Sequence, residues 1–370
     1  MIIKAIELRK VRMPLREPFV TSYGVERDKE FLLVFLETDA VVGVGECVAL
    51  SEPLYSSETY ATAWQVLVRH LIPAVLGIRF EHPRTIRERL APFRGNRMAK
   101  AAIETAAWDA YAKMRSEPLF FTIGGKRREI PAGISVGIQA TTRDLLNKIE
   151  SYLQQGYRRV KIKVTPERGE AAVAAIRQEF GDIPLMVDAN SAYTIHDVDL
   201  LRRLDDYHLL MIEQPLAYDD IFLHAQLQRT LQTPICLDES LQSLADVQNA
   251  VEIGACRIVN LKIGRVGGLA EAIEIEAYCR SQHVPLWCGG MLEAGVGRLF
   301  NLALSSLEGF ALPGDTGPSS RYFENDIIDP PVEFARPGFL ALPDGIGIGA
   351  ELKREQIDRL TEFKNRSQMS

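Results

Sequence analysis

The feature that most constrains the fold sets in after residue 131, where short apolar strands begin to alternate with amphipathic helical segments. The strands read AGISVG (132–137), RVKIKV (159–164), LMVDAN (185–190), LMIEQP (210–215), ICLDES (235–240), RIVNLKI (257–263), VPLWCGG (284–290) and a weaker ALPGDT (311–316). Strands that alternate with helices form parallel sheets. Eight such units point to a closed barrel, with active-site chemistry at the carboxyl ends of the strands. An open doubly wound sheet is the alternative, but no glycine-rich phosphate loop follows the first strand. The GIGIGAE stretch near 345 lacks the strand-then-helix setting of a dinucleotide motif and reads as a turn.

Before the barrel, strand signals at 1–50 are followed by helical periodicity from about 58 to 116, an α+β unit. The expected organisation is a domain over 1–125, a barrel over 126–320, and a segment over 321–370 that packs back on the first domain.

Within the barrel the strand RVKIKV poses a problem. Val160, Ile162 and Val164 alternate with Lys161 and Lys163, so both lysines share one face. Barrel strands have helices outside and packed side chains inside, so that face points inward. Two buried ammonium groups need counter-charges close by. The following strands supply them. From Lys163, steps of 25, 25, 25 and 24 residues lead to Asp188, Glu213, Asp238 and Lys262. Each step is one strand–helix unit, which places the charges at one height on successive strands. Three convergent carboxylates repel unless a cation joins them, and oxygen-only ligands suit Mg²⁺, with Mn²⁺ as a substitute. A dication flanked by two amines is equipped to remove a proton beside a carboxylate: a lysine of lowered pKa is the base, and the metal offsets the developing charge.

Around this core stand further candidates. Lys161 would lower the pKa of Lys163 and bind a substrate carboxylate. Asn190 would steady the metal or the substrate, unless it merely forms the turn before SAY. Glu239 would pair with Lys262, and Arg265 would lower the pKa of that lysine. Ser135 faces the same space, and the N–H groups of Gly290 and Met291 would approach a substrate carboxylate. Cap loops near Phe19 to Tyr23 and near Tyr55 would close over the site, their aromatic residues serving as packing. A Schiff-base barrel would leave the three carboxylates without purpose, and a silent scaffold would not need both lysines with every carboxylate intact.

Net charge is −6, which argues against a nucleic-acid binder. The five cysteines form no C-x-x-C pair, which fits a reducing, cytoplasmic compartment. The scattered histidines disfavour zinc, and no apolar run is long enough for a membrane span.

The motifs VKIKV, MVDANSAY, IEQPL, CLDES, NLKIGRVGG and WCGGMLEAGVGR, with GNRMAKAAIETAAWD and PGDTGPSSRYFENDI, resemble the enolase superfamily. Within its muconate-lactonising-like subgroup, the chain is most similar to the o-succinylbenzoate synthase / N-succinylamino acid racemase family, over nearly its whole length. The resemblance implies an α/β fold, a (β/α)7β barrel (modified TIM barrel) under an N-terminal α+β capping domain. It implies Asp188, Glu213 and Asp238 as Mg²⁺ ligands and Lys163 and Lys262 as the acid–base pair. It further implies a small-molecule carboxylate with a succinyl arm as substrate and an assembly of identical chains. The implied reaction is dehydration of 2-succinyl-6-hydroxy-2,4-cyclohexadiene-1-carboxylate in menaquinone biosynthesis, through an enolate, together with N-succinylamino acid racemisation. The alternatives are a chain that is primarily an N-acylamino acid racemase, or a dipeptide epimerase.

Overall fold

The computed structural model describes residues 1–20 and 25–369. The cap loop at Phe19 to Tyr23 falls outside the side chains described there. The capping sheet has four antiparallel strands. β1 (Ile3–Val20) pairs with β2 (Val25–Thr38), and β2 pairs with β3 (Val42–Cys47). The last strand of the chain, Thr361–Gln368, joins the other edge of β1. Helix α1 (Arg97–Met114) lies across the sheet. It comes close because both surfaces are small: a Cβ added at Gly43 would stand 2.0 Å from the Ala106 carbonyl oxygen, and one at Gly45 2.1 Å from that of Ala102.

The barrel sheet has seven parallel strands in chain order: β4 (Gly133–Val136), β5 (Arg159–Lys163), β6 (Leu185–Asp188), β7 (Ile212–Glu213), β8 (Ile235–Leu237), β9 (Ile258–Leu261) and β10 (Leu286–Cys288). The weak eighth segment forms no regular strand, yet it closes the ring. Leu312 N donates to Leu286 O (3.3 Å) and Asp315 N to Cys288 O (2.9 Å), while Gly133 N donates to Gly314 O (2.7 Å). Its proline and glycine explain the irregularity, since Pro313 has no N–H to give to a ladder.

Alternation sorts each strand cleanly. Val160, Ile162, Leu185, Val187, Ile235, Leu237, Val259 and Leu261 join the large core shared with the surrounding helices. Their neighbours point inward, where Met186, Met211, Cys236, Ile258 and Trp287 form a separate apolar floor. Above that floor the inward positions are polar.

Buried carboxylates join the cap to the barrel. In α1, Glu104 accepts the backbone N–H groups of Leu269 (2.7 Å) and Ala270 (2.9 Å), which open the barrel helix Leu269–Ser281. In β3, Glu46 accepts those of Ala294 (2.9 Å) and Gly297 (2.8 Å) at the start of Gly295–Ser305. Helix N-termini present such unsatisfied donors, and a carboxylate is their natural acceptor. Among the described residues, no helix is long and apolar enough to cross a membrane.

Candidate active site

The cleft sits at the carboxyl ends of the barrel strands and is roofed by the cap residues Glu26, Leu50 and Tyr55. Ser135, Lys161, Lys163, Asp188, Asn190, Asp238, Lys262, Gly290 and Met291 all line it, together with Asp315. Glu213, fully buried, lies deeper.

Strand register shows how the charges are staggered from strand to strand. Lys163 pairs with Asp188, and Asp188 with Glu213, so these three are level. Glu213, however, pairs with Cys236 rather than with Asp238, and Cys236 with Ile258. Asp238 therefore stands two residues farther along its strand than Glu213, and Lys262 two farther again. A closed barrel needs a stagger between strands, and a shift of two keeps every side chain on the inward face. The residue level with Asp238 is Asn260, whose Nδ2 donates to Glu213 Oε1 at 2.7 Å.

Each inner carboxylate meets a cation. Lys163 Nζ donates to Asp188 Oδ2 (2.6 Å) and to Asn190 Oδ1. Lys161 Nζ is surrounded by Asp315 (2.7 Å), Glu213 (3.0 Å) and Asp188 (3.3 Å). Burial pulls the Lys161 ammonium down, but these three carboxylates together raise it above its ordinary value. On the opposite side, Lys262 Nζ donates to Asp238 Oδ2 (2.7 Å) and to the Tyr55 hydroxyl (3.0 Å). Arg265 also holds Asp238 and donates to Leu241 O (2.7 Å).

Several expectations need correction. Lys262 is not shifted towards a neutral amine. Burial lowers its pKa, but Tyr55, Glu239 and Glu213 raise it further, while Arg265 directs its charge at Asp238. Glu239 does not bond Lys262: its Oε1 accepts from Asn190 Nδ2 (2.8 Å), and its buried Oε2 has no partner. The Met291 N–H is already given to Glu293 Oε1 (2.9 Å), so it is not offered to a ligand. Lys161 is engaged by protein carboxylates rather than left free. Asn190 stands in a left-handed turn, with φ of 41°, and its side chain contacts Lys163 and Glu239. Ser135 is level with Lys161 on the neighbouring strand.

Sequence reasoning passed over four residues. Asp315 holds both Lys161 and Arg159 from the closing segment, whose weak strand signal hid it. The Tyr55 hydroxyl also donates to Asp238 Oδ1 (3.1 Å), a polar role rather than packing. Asn260 and Arg159 were legible only as inward positions of their strands. The Arg159 and Lys161 charges lie over the Trp287 ring, at 4.5 and 4.8 Å from its centre.

Among the described residues, no three His, Cys, Asp or Glu side chains stand gathered as a ready-made metal cluster. The donor chemistry nevertheless fits a hard dication. Asp188, Glu213 and Asp238 offer only oxygen. Burial and the charge of Asp188 push the pKa of both Glu213 and Glu239 up, and Glu239 Oε2 is an orphaned buried acceptor.

Residues 3–124 match the family described as mandelate racemase / muconate lactonizing enzyme, N-terminal domain, and residues 144–357 match enolase C-terminal domain-like proteins. The chain is 51% identical to an o-succinylbenzoate synthase of Geobacillus kaustophilus over 98% of this chain and 96% of that one. It is 45% identical to an N-succinylamino acid racemase of Thermus thermophilus, over 98% of each. A crystal structure of an enolase superfamily member from Listeria innocua superposes with a TM-score of 0.97 at 40% identity, covering 100% of both chains. The fold also matches a dipeptide epimerase from Cytophaga hutchinsonii solved with Mg and a dipeptide, with a TM-score of 0.91 at 24% identity over 99% of this chain and 100% of that one.

Proposed function

The chain belongs to the o-succinylbenzoate synthase / N-succinylamino acid racemase family of the enolase superfamily, and we propose that one site in it performs both reactions. The observation that carries this reading is the pair of buried lysines at opposite ends of the carboxylate series, Lys163 on Asp188 and Lys262 on Asp238. We propose that Asp188, Glu213 and Asp238 hold one Mg²⁺, for which Mn²⁺ would substitute. When bound, the ion supplies positive charge for the negative charge that develops on the substrate carboxylate.

In dehydration, Lys163 Nζ takes the proton α to the carboxylate, and the C–H pair becomes an enolate. That pair then forms the ring double bond as the C–O bond breaks. The proton on Lys163 leaves with the hydroxyl as water, on the same face, and the ring becomes aromatic. In racemisation Lys163 and Lys262 serve opposite faces, one taking the proton and the other returning it. Asn190 positions Lys163, and Tyr55 positions Lys262.

The test is a paired assay of the cyclohexadiene acid and of N-succinylamino acids, with isotope exchange followed in D₂O. Turnover of both is expected. Kinetics that favour free dipeptides or muconate lactones over both succinyl substrates would overturn the assignment.

A further inference from the structure

A second pocket opens beside the cleft and shares Ser135 and Tyr322 with it. Its charged lining consists of Glu17, Lys148 and Arg321. Arg321 ends the short 3-10 turn Ser319–Arg321, and its guanidinium is held from three sides. Nη2 donates to the Ser135 carbonyl (2.8 Å), and the rings of Tyr152 and Tyr322 each lie 4.9 Å from the charge. Nη1 is buried and has no hydrogen-bond partner among the described residues. Glu17 lines the same pocket, but Lys148 Nζ engages it at 3.1 Å. No carboxylate of the described residues pairs with Arg321.

A guanidinium stays charged at any accessible pH. Leaving one of its donors buried and unmade is costly, and native proteins seldom do so without a purpose. The fork is already fixed by two aromatic faces and a carbonyl, so little side-chain freedom remains to be lost when an anion arrives. A carboxylate is the planar partner that such a fork fits. The location also suits an extended ligand. Arg321 binds the backbone of Ser135, which is level with Lys161 on the adjacent strand, and neighbouring strands lie about 4.8 Å apart. A ligand whose reacting carboxylate sits among the lysines can therefore extend a short arm past Ser135 to the free donor.

We propose that Arg321 is a specificity-determining residue that binds the distal carboxylate of the substrate's acyl arm, with the pocket between Ser135, Tyr152 and Tyr322 as its subsite. This rests on the reading of the site as one for succinyl substrates. Glycine derivatives allow binding to be separated from turnover, because they cannot be racemised. N-succinylglycine and N-butyrylglycine differ at the arm's end, carboxylate against methyl. Each is titrated by calorimetry into the full chain with Mg²⁺. The parent is expected to bind the succinyl compound roughly 10- to 100-fold more tightly, the span of one charge-assisted hydrogen bond. In Arg321→Gln that ratio should fall close to one, and Arg321→Lys should retain part of it. Equal affinities in the parent would overturn the proposal, as would equal weakening of both ligands in Arg321→Gln. If Arg321→Gln does not fold, the parent ratio and the Arg321→Lys ratio decide. A ratio lost in Lys148→Ala but kept in Arg321→Gln would assign the arm to Lys148 instead. Absence of dehydration and racemisation would refute the proposed function without touching this ratio.

Discussion

Buried carboxylates occur in two regions of this molecule, and the glutamates of one behave in the opposite way to two aspartates of the other. At the seam between cap and barrel, Glu46 and Glu104 accept backbone N–H groups at helix starts. Burial dominates there, pushing Glu46 up to about 8 and Glu104 up to about 7. At the barrel mouth, burial acts on Asp188 and Asp315 in the same direction, but lysines outweigh it. Lys163 and Lys161 hold Asp188 well below the usual carboxylate range, and Lys161 and Arg159 bring Asp315 down to about 2. Equal burial thus gives opposite proton affinities: backbone N–H groups, with Lys29 near Glu46, do not outweigh it at the seam, whereas two close cations outweigh it at each aspartate. The seam groups fasten two domains; the mouth groups store matched charge that a ligand can rearrange.

This contrast makes mouth substitutions matter for turnover and seam substitutions matter for stability. The largest effect is expected from Asp238→Asn, or from chelation of the parent. Dehydration should fall to background in both, and added Mg²⁺ should restore only the chelated parent; full turnover in either condition removes the metal from the reading. Next, Lys163→Arg should slow dehydration by about 10²- to 10⁴-fold, the usual worth of a general base. It should also stop deuterium exchange of one enantiomer of an N-succinylamino acid. Lys262→Arg should stop exchange of the other enantiomer while dehydration suffers less. Exchange of both enantiomers persisting in Lys262→Arg would leave the racemase half of the proposal without its second base.

A smaller loss, about 10-fold, is expected of Tyr55→Phe, which removes the hydroxyl that accepts from Lys262 and donates to Asp238. Racemisation should lose more than dehydration, and equal losses would assign Tyr55 to packing. The smallest effect on turnover belongs to the seam. The folded pKa of Glu104 is raised from 4.5 to about 7, so the folded chain binds more protons between those values. Its contribution to stability is complete below pH 4.5 and is lost as the pH rises through 7, an effect of about 1–3 kcal/mol. Glu104→Gln should flatten the decline of Tm over that window and leave turnover nearly intact. A decline as steep as the parent's would show that Glu104 is not the titrating group.

Much of this was legible in the chain. Alternation within strands dictates that 159, 161 and 163 face one way and 160 and 162 the other, and the 25-residue repeat places Lys163, Asp188, Glu213 and Asp238 one to each successive strand. Both are local rules, fixed by the two-residue period of a strand and the length of one strand–helix unit. What the sequence could not carry was the stagger of the closed barrel. It sets Asp238 and Lys262 two and four residues along in register from the first three charges and brings Asn260 into contact with Glu213. Nor could it show that Asp315 arrives through an irregular closing segment, that Tyr55 reaches down from the cap to Asp238, or that Arg265 spends its charge on that carboxylate. These contacts join residues far apart in the chain, and their distances depend on ring closure and on how the cap sits. Periodicity determines which way a side chain faces; only the closed fold decides what it meets there.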